Sequence, residues 1–165
     1  MSIVAIAAVA VAIKQMAESL RTVYGVLDGD RGVAIAVANH TSHELEIAWT
    51  SFDHGGWAEP PDQMVPPGEA SLFSVRDKGF MTGTKGWLTY SINGSDPQCW
   101  AQIFWDNPFL GQNKAGCWDF NRVPVGDVMK KMFPEGLPVS AAGYRMTAIS
   151  GTGNICQNKY EVFEG

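Results

Sequence analysis

The stretch "GVAIAVA", residues 32–38, follows the turn-like "DGDRG" at 28–32, and there the chain changes its period. Upstream of it, apolar and polar residues recur with helical spacing. Downstream they alternate two by two or run apolar for one strand length, as half-buried and fully buried strands do. The fold class turns on this switch.

Working back from it, residues 3–13, "IVAIAAVAVAI", are eleven unbroken apolar residues that lead straight into "KQMAESLRTVYGVL". At 100° per residue, Lys14, Glu18 and Arg21 fall on one stripe, with Met16, Leu20, Val23 and Tyr24 opposite. That half is amphipathic. In the first half Val4, Ala7, Ala8 and Val11 occupy the place of the polar stripe, so the tip is apolar all round. The pattern predicts one long helix from Ile3 to about Leu27, broken near Gly25. Its apolar run is shorter than the roughly 20 residues of a bilayer span. A secretory h-region has this length, but no Lys or Arg precedes it. Residues 3–22 as a helix would extend roughly 30 Å, about the thickness of a bilayer core. Such a helix either packs on the domain or packs there in water and moves into lipid.

Working forward, "HELEIAWTSF" (43–52) alternates Leu45, Ile47 and Trp49 inward against Glu44, Glu46 and Ala48 outward. "EASLFSV" (69–75) follows the turn "VPPG", and "GWLTYSI" (86–92) and "CWAQIFW" (99–105) flank a connection led by Asn93-Gly94. "GCWDF" (116–120), "GYRMTAI" (143–149) and "ICQNKYEVF" (155–163) follow, the last two joined by "SGTGN". That makes about eight strands. "GDVMKKMF" (126–133) reads as a short helix capped by Asp127 and stopped by Pro134. The expected fold is mainly β, an antiparallel β-sandwich flanked by a long N-terminal helix and one short helix. It forms a single domain over 1–165, with the sandwich at 32–163.

A net charge of −5 with no run of Lys or Arg excludes a phosphate-neutralising nucleic-acid binder. Cys99, Cys117 and Cys156 have no CxxC spacing and read as semi-buried thiols, although a Cys99–Cys117 disulfide is conceivable if strand pairing joins them. Asn39-His40-Thr41 and Asn93-Gly94-Ser95 fit the glycosylation sequon. "HTSHE" sets His40 and His43 beside Glu44, but no third zinc ligand is suggested. No nucleophile elbow or phosphate-cradling loop appears, "GTKG" at 83–86 enters a strand, and nothing pairs Asp106 with Asp119 for glycoside chemistry. The expectation is no enzyme, no catalytic residue, no metal and no cofactor.

The segment "CWAQIFWDNPFLGQNKAGCW" (99–118) sets three tryptophans and two phenylalanines on and beside a loop. With "RGVAIAVAN", "FDHG" at 52–55, "VPPGEASLF" at 65–73, "TGTKGWLTY" at 82–90 and "IFWDNPFLGQNKAGCW" at 103–118, in this order and spacing, the chain resembles the actinoporin family of pore-forming cytolysins. "FWDNPFLG" is similar, more weakly, to a loop of the lipid-recognising aegerolysins.

The actinoporin resemblance implies a secreted protein, soluble until it meets its target, that docks through an aromatic cluster and a phosphocholine or sphingomyelin-like headgroup pocket. Its N-terminal helix then inserts, and several copies line a pore. On this resemblance Trp105 and Trp118 lie at the bilayer interface, Pro108 at a pocket proline and Phe109 at a tyrosine position. His54 replaces a headgroup-contacting serine and Phe133 a tyrosine. Lys85 and Lys114 stand where a valine and another pocket tyrosine would be. Lysines there would repel a choline ammonium and attract phosphate. Ile3, Val4 and Val11 belong to the inserting segment, and Lys14, Glu18 and Arg21 face the lumen. The alternative is a non-lytic sandwich that binds a lipid headgroup or a carbohydrate.

Overall fold

The structure, a computed structural model, describes residues 2–24, 30–79, 81–92, 99–118, 139–141 and 143–165. The short helix expected at 126–133, Phe133 and Asp119 lie outside these residues, as do Asn93 and the end of the expected N-terminal helix.

Two sheets make the sandwich. The first holds β1 (Ser2–Ala5), β6 (Glu69–Arg76), β2 (Gly32–His40), β12 (Ile155–Glu164), β11 (Tyr144–Ser150) and β10 (Val139–Ala141) in that order, with β4 (Gly56–Glu59) also on β6. The second runs β5 (Met64–Val65), β3 (Leu45–His54), β7 (Thr84–Ile92), β8 (Trp100–Asn107), β9 (Lys114–Trp118). Pairing is antiparallel apart from β2 with β12. All eight expected strands are present, and the mainly β sandwich with an N-terminal helix is the observed architecture.

β2 explains why the layers stack as they do. Val33, Ile35 and Val37 point into the sandwich core, while Ala34, Ala36 and Ala38 point out beneath the helix α1 (Val9–Tyr24). Both rows are completely buried. The alanines give the helix a shallow trough, and Val9, Ile13, Ala17 and Leu20 fill it. Burying Val9, Ile13 and Leu20 stabilises this contact by about 1.5–3 kcal/mol each.

The N-terminal segment corrects the single long helix. Ser2–Ala5 pairs with β6 at Leu72–Glu69 as an edge strand, a 3-10 turn takes up Ile6–Ala8, and the helix proper begins at Val9. The unfilled edge of β6 supplies partners that an apolar run without periodicity cannot refuse. Ile3 and Val4 are thus strand residues, and Val4 packs beside the helix trough.

The tryptophans are also redistributed. Trp105, expected at a membrane interface, has no exposed surface and packs against Phe52 and Trp57 in the core. Strand phase decides this, since β8 continues to Asn107 and Trp105 shares the inward face with Ala101 and Ile103. A Cβ on Gly86 would stand 2.6 Å from the Trp105 ring, so the indole needs a glycine opposite it. Trp49, expected inward, is 47% exposed because a bulge between Ile47 and Trp49 reverses the phase of β3.

No disulfide joins Cys99, Cys117 or Cys156; the residue facing Cys117 across β8–β9 is Ile103, four positions beyond Cys99, so the conceivable bridge is not made. Burial pushes the Cys156 thiol up to about 12.

Trp105→Ala should therefore cost about 3–5 kcal/mol of stability. Trp49→Ala should leave the urea midpoint nearly unchanged, and the two unfolding curves measured side by side check the assignment.

Candidate headgroup site at the loop end

One end of the sandwich gathers the C-terminal ends of β3, β6, β8 and β11 with the starts of β2, β7, β9 and β12. A row near this end crosses four adjacent strands of the second sheet, with His54 opposite Lys85, Lys85 opposite Asp106, and Asp106 opposite Lys114. Strand pairing thus brings together His54, Lys85 and Lys114, three of the residues expected at the headgroup site. It adds Asp106, which the sequence alone did not suggest for this purpose. Lys85 Nζ also lies 3.8 Å from the Asp53 carboxylate. Burial raises the Asp106 carboxyl above its ordinary value, and Asp53 adds to this, although Lys85, Lys114 and His54 pull the other way.

Above this row runs the β8–β9 loop, 108–113. Asn107, 1% exposed, anchors its start by donating from Nδ2 to Gly32 O at 3.0 Å and Asn154 O at 2.8 Å, which ties the two sheets together. Arg31 holds the next turn, with Nε donating to Pro108 O at 3.1 Å and Nη2 to Phe109 O at 2.7 Å. The guanidinium also sits 5.1 Å from the centre of the Phe109 ring. Gly83 (φ 75°) brings the preceding loop against the same backbone, where a Cβ would meet Asn107 O at 2.5 Å.

Pro108 and Phe109 are therefore at this end as expected, but the Phe109 face is engaged by Arg31 rather than left for a choline ammonium. Trp118 closes β9 opposite Gln102 in backbone register, and its side chain lies outside the described residues. What the sequence reading missed is Leu110, 82% exposed at the loop tip, and Met81, 49% exposed on the adjacent loop with φ 60°. The signal for Leu110 was an aliphatic residue in the middle of a proline-glycine loop.

On the far side of this loop lies a hollow of about 300 Å³, bounded by Arg31, residues 108 and 111–113, and the β11–β12 turn at 150–154. Among the residues expected to insert, Lys14, Glu18 and Arg21 form the exposed polar face of α1, and Val11 is 63% exposed. Arg21 donates to Ile155 O at 3.2 Å. Among the described residues no helix is long and apolar enough to cross a membrane.

The histidine turn sits at the opposite end. His40 Nε2 is 3.0 Å from Glu161 and His43 Nε2 is 3.6 Å from Glu164. Burial would raise Glu161, but hydrogen bonds from Lys159 and His40 outweigh it and hold the carboxyl below its usual range. No cluster of three metal-ligating side chains occurs among the described residues. Asn39 is fully buried; its Nδ2 donates to His43 O and Val65 O and its Oδ1 accepts from Thr41, so the first sequon is committed to a turn.

No model of a known protein family matches the chain. Over 86 residues, 52% of the chain, it is 35% identical to an uncharacterized protein of Dictyostelium discoideum, and the match spans 8% of that protein's length. Among solved structures it is similar to the lipid-binding protein Nakanori, with a TM-score of 0.75 and 16% identity over 94% of this chain and 80% of that one. It is also similar to the lectin of Xerocomus chrysenteron, with a TM-score of 0.58 and 12% identity over 81% of this chain and 99% of the lectin. The shared sandwich is common to a lipid binder and a lectin, and at these identities the likeness is one of fold.

Because its folded value is raised above the unfolded one, ionised Asp106 costs stability at neutral pH, and that cost falls away as pH drops through the folded value. Asp106→Asn should raise the urea midpoint at pH 7, and the gain should vanish below the ordinary carboxyl value of 3.8. Urea titrations of both proteins from pH 3 to pH 7 check this.

Proposed function

We propose that the chain is a membrane-docking module that takes a phosphate-bearing lipid headgroup at its loop end. The observation that carries the reading is the placing of Leu110 and Met81, both exposed, beside the row that carries Lys85 and Lys114. Two apolar tips enter the acyl boundary while the lysines meet headgroup phosphate, the division of labour of an interfacial protein. The acidic protein needs no general attraction to anionic membranes for this. Similarity of fold to a lipid-binding protein supports the reading, and similarity to a lectin makes a carbohydrate headgroup the competing ligand.

A second reading, an oligomeric pore made by an inserted N-terminal helix, is favoured by one feature. α1 has a polar outer face at Lys14, Glu18 and Arg21 and an apolar inner face, so once freed it would suit a lumen on one side and lipid on the other. Freeing it requires breaking the β1–β6 pairing and emptying the alanine trough. Docking must supply that energy.

Vesicles of phosphatidylcholine and sphingomyelin test both readings in one experiment. Leu110→Asp should weaken co-sedimentation by about 10–100-fold, the worth of one buried leucine, and Lys85→Glu with Lys114→Glu should abolish it. Unchanged binding in all of these would refute loop-end docking. Val4→Cys with Ala70→Cys, facing positions on β1 and β6, pins the N-terminal segment when oxidised. Dye release by the reduced form alone would establish the pore, whereas binding without release in either form leaves a recognition module.

A further inference from the structure

We infer that the hollow behind the β8–β9 loop is a second binding site, for a phosphate ester, separate from the row of the second sheet. Its charge is the first argument. Arg31 is the one charged residue on its lining, and no carboxylate joins it there. Among the described residues the guanidinium has no ion-pair partner at all. Two of its nitrogens are committed to the carbonyls of Pro108 and Phe109, and Nη1, although buried, has none. A partly buried cation without a counter-charge is costly unless an anion completes it.

The remaining lining matches the shape of that anion. Gln112, Thr152 and Asn154 bring two neutral amides and a hydroxyl, while the Asn113 amide and the Ser150 hydroxyl are already engaged within the walls, and three glycines leave backbone open to close approach. A phosphate ester offers several acceptor oxygens to such a set, and a volume of about 300 Å³ admits the group with part of a hydroxylated carrier. A singly charged lining of this kind favours an ester over a bare hydrocarbon or a cation.

The site is also built before any ligand arrives. Asn113 Nδ2 donates to Gly151 O at 3.3 Å and Gly153 O at 2.8 Å, clasping the two walls together. Asn107 holds the third side through Asn154 O, and Arg31 is fixed by its two carbonyls and the Phe109 ring. Little ordering cost remains for binding.

A phosphate ester reaches this protein either free in solution or at the head of a lipid, and the test separates the two. Titration calorimetry of the full chain with glycerol phosphate is the soluble arm. Phosphatidylcholine vesicles carrying a minor fraction of phosphatidylinositol 4-phosphate, compared with phosphatidylcholine alone, are the lipid arm. Arg31→Gln and Thr152→Glu should each weaken binding by about tenfold or more. Thr152 lies exposed on a turn, so its variant tests the site even where Arg31→Gln fails to fold. Dependence on Arg31 and Thr152 in the soluble arm assigns the site to a free ester, and the same dependence in the lipid arm alone assigns it to a headgroup. Absence of binding in both arms overturns the proposal. So does binding that responds to Lys85→Glu but not to Thr152→Glu, which would put the anion in the row already described.

Discussion

A single strand buried on both faces governs this molecule. β2 must satisfy a sandwich core with Val33, Ile35 and Val37 and a helix with Ala34, Ala36 and Ala38. Large residues on one side and methyl groups on the other let both layers close on it. Its two neighbours follow: β6 antiparallel on one flank and β12 parallel on the other. A larger side chain in the alanine row would lift α1 from the sheet, because overpacking a filled core is not absorbed by relaxation. The position of the N-terminal segment is therefore a property of β2 as much as of the segment itself.

The same strand positions the loop end. Arg31, one residue before β2, and Gly32, its first residue, receive or reach the β8–β9 loop through Arg31 and Asn107. The tip carrying Leu110 is thus braced against the doubly buried strand rather than hanging from its own hairpin. This bracing gives the loop two working sides. One looks over the row His54–Lys85–Asp106–Lys114, and the other closes the hollow with the β11–β12 turn.

Much of this was legible in the chain because alternation is a local signal. The eight main strands and the turn "SGTGN" announce themselves, and so does the amphipathic half of α1. The failures share a physical cause, dependence on distant partners. An apolar run of Ala, Val and Ile at 3–8 carries no period, and only the vacant edge of β6 made part of it a strand. One inserted residue at Ala48 sent Trp49 to the surface, which no propensity scale reveals. Trp105 was mistaken for an interface ring through its nearness to the loop, although its parity with Ala101 and Ile103 pointed inward. The row of the second sheet needed strand register, which aligned His54, Lys85 and Lys114 across successive sequence separations of 31 and 29 residues. The family resemblance drew attention to that row, and the bare spacing of its members did not.

The central claim, that the molecule meets its target with the loop end, is tested most directly by hydrogen–deuterium exchange of the full chain with and without phosphatidylcholine–sphingomyelin vesicles. The account predicts slower exchange at residues 81–85 and 108–114 on binding, with the 40–46 end unchanged. Protection confined to 40–46 and the strand ends around Arg145 and Phe163, with 108–114 exchanging as it does in solution, would contradict it.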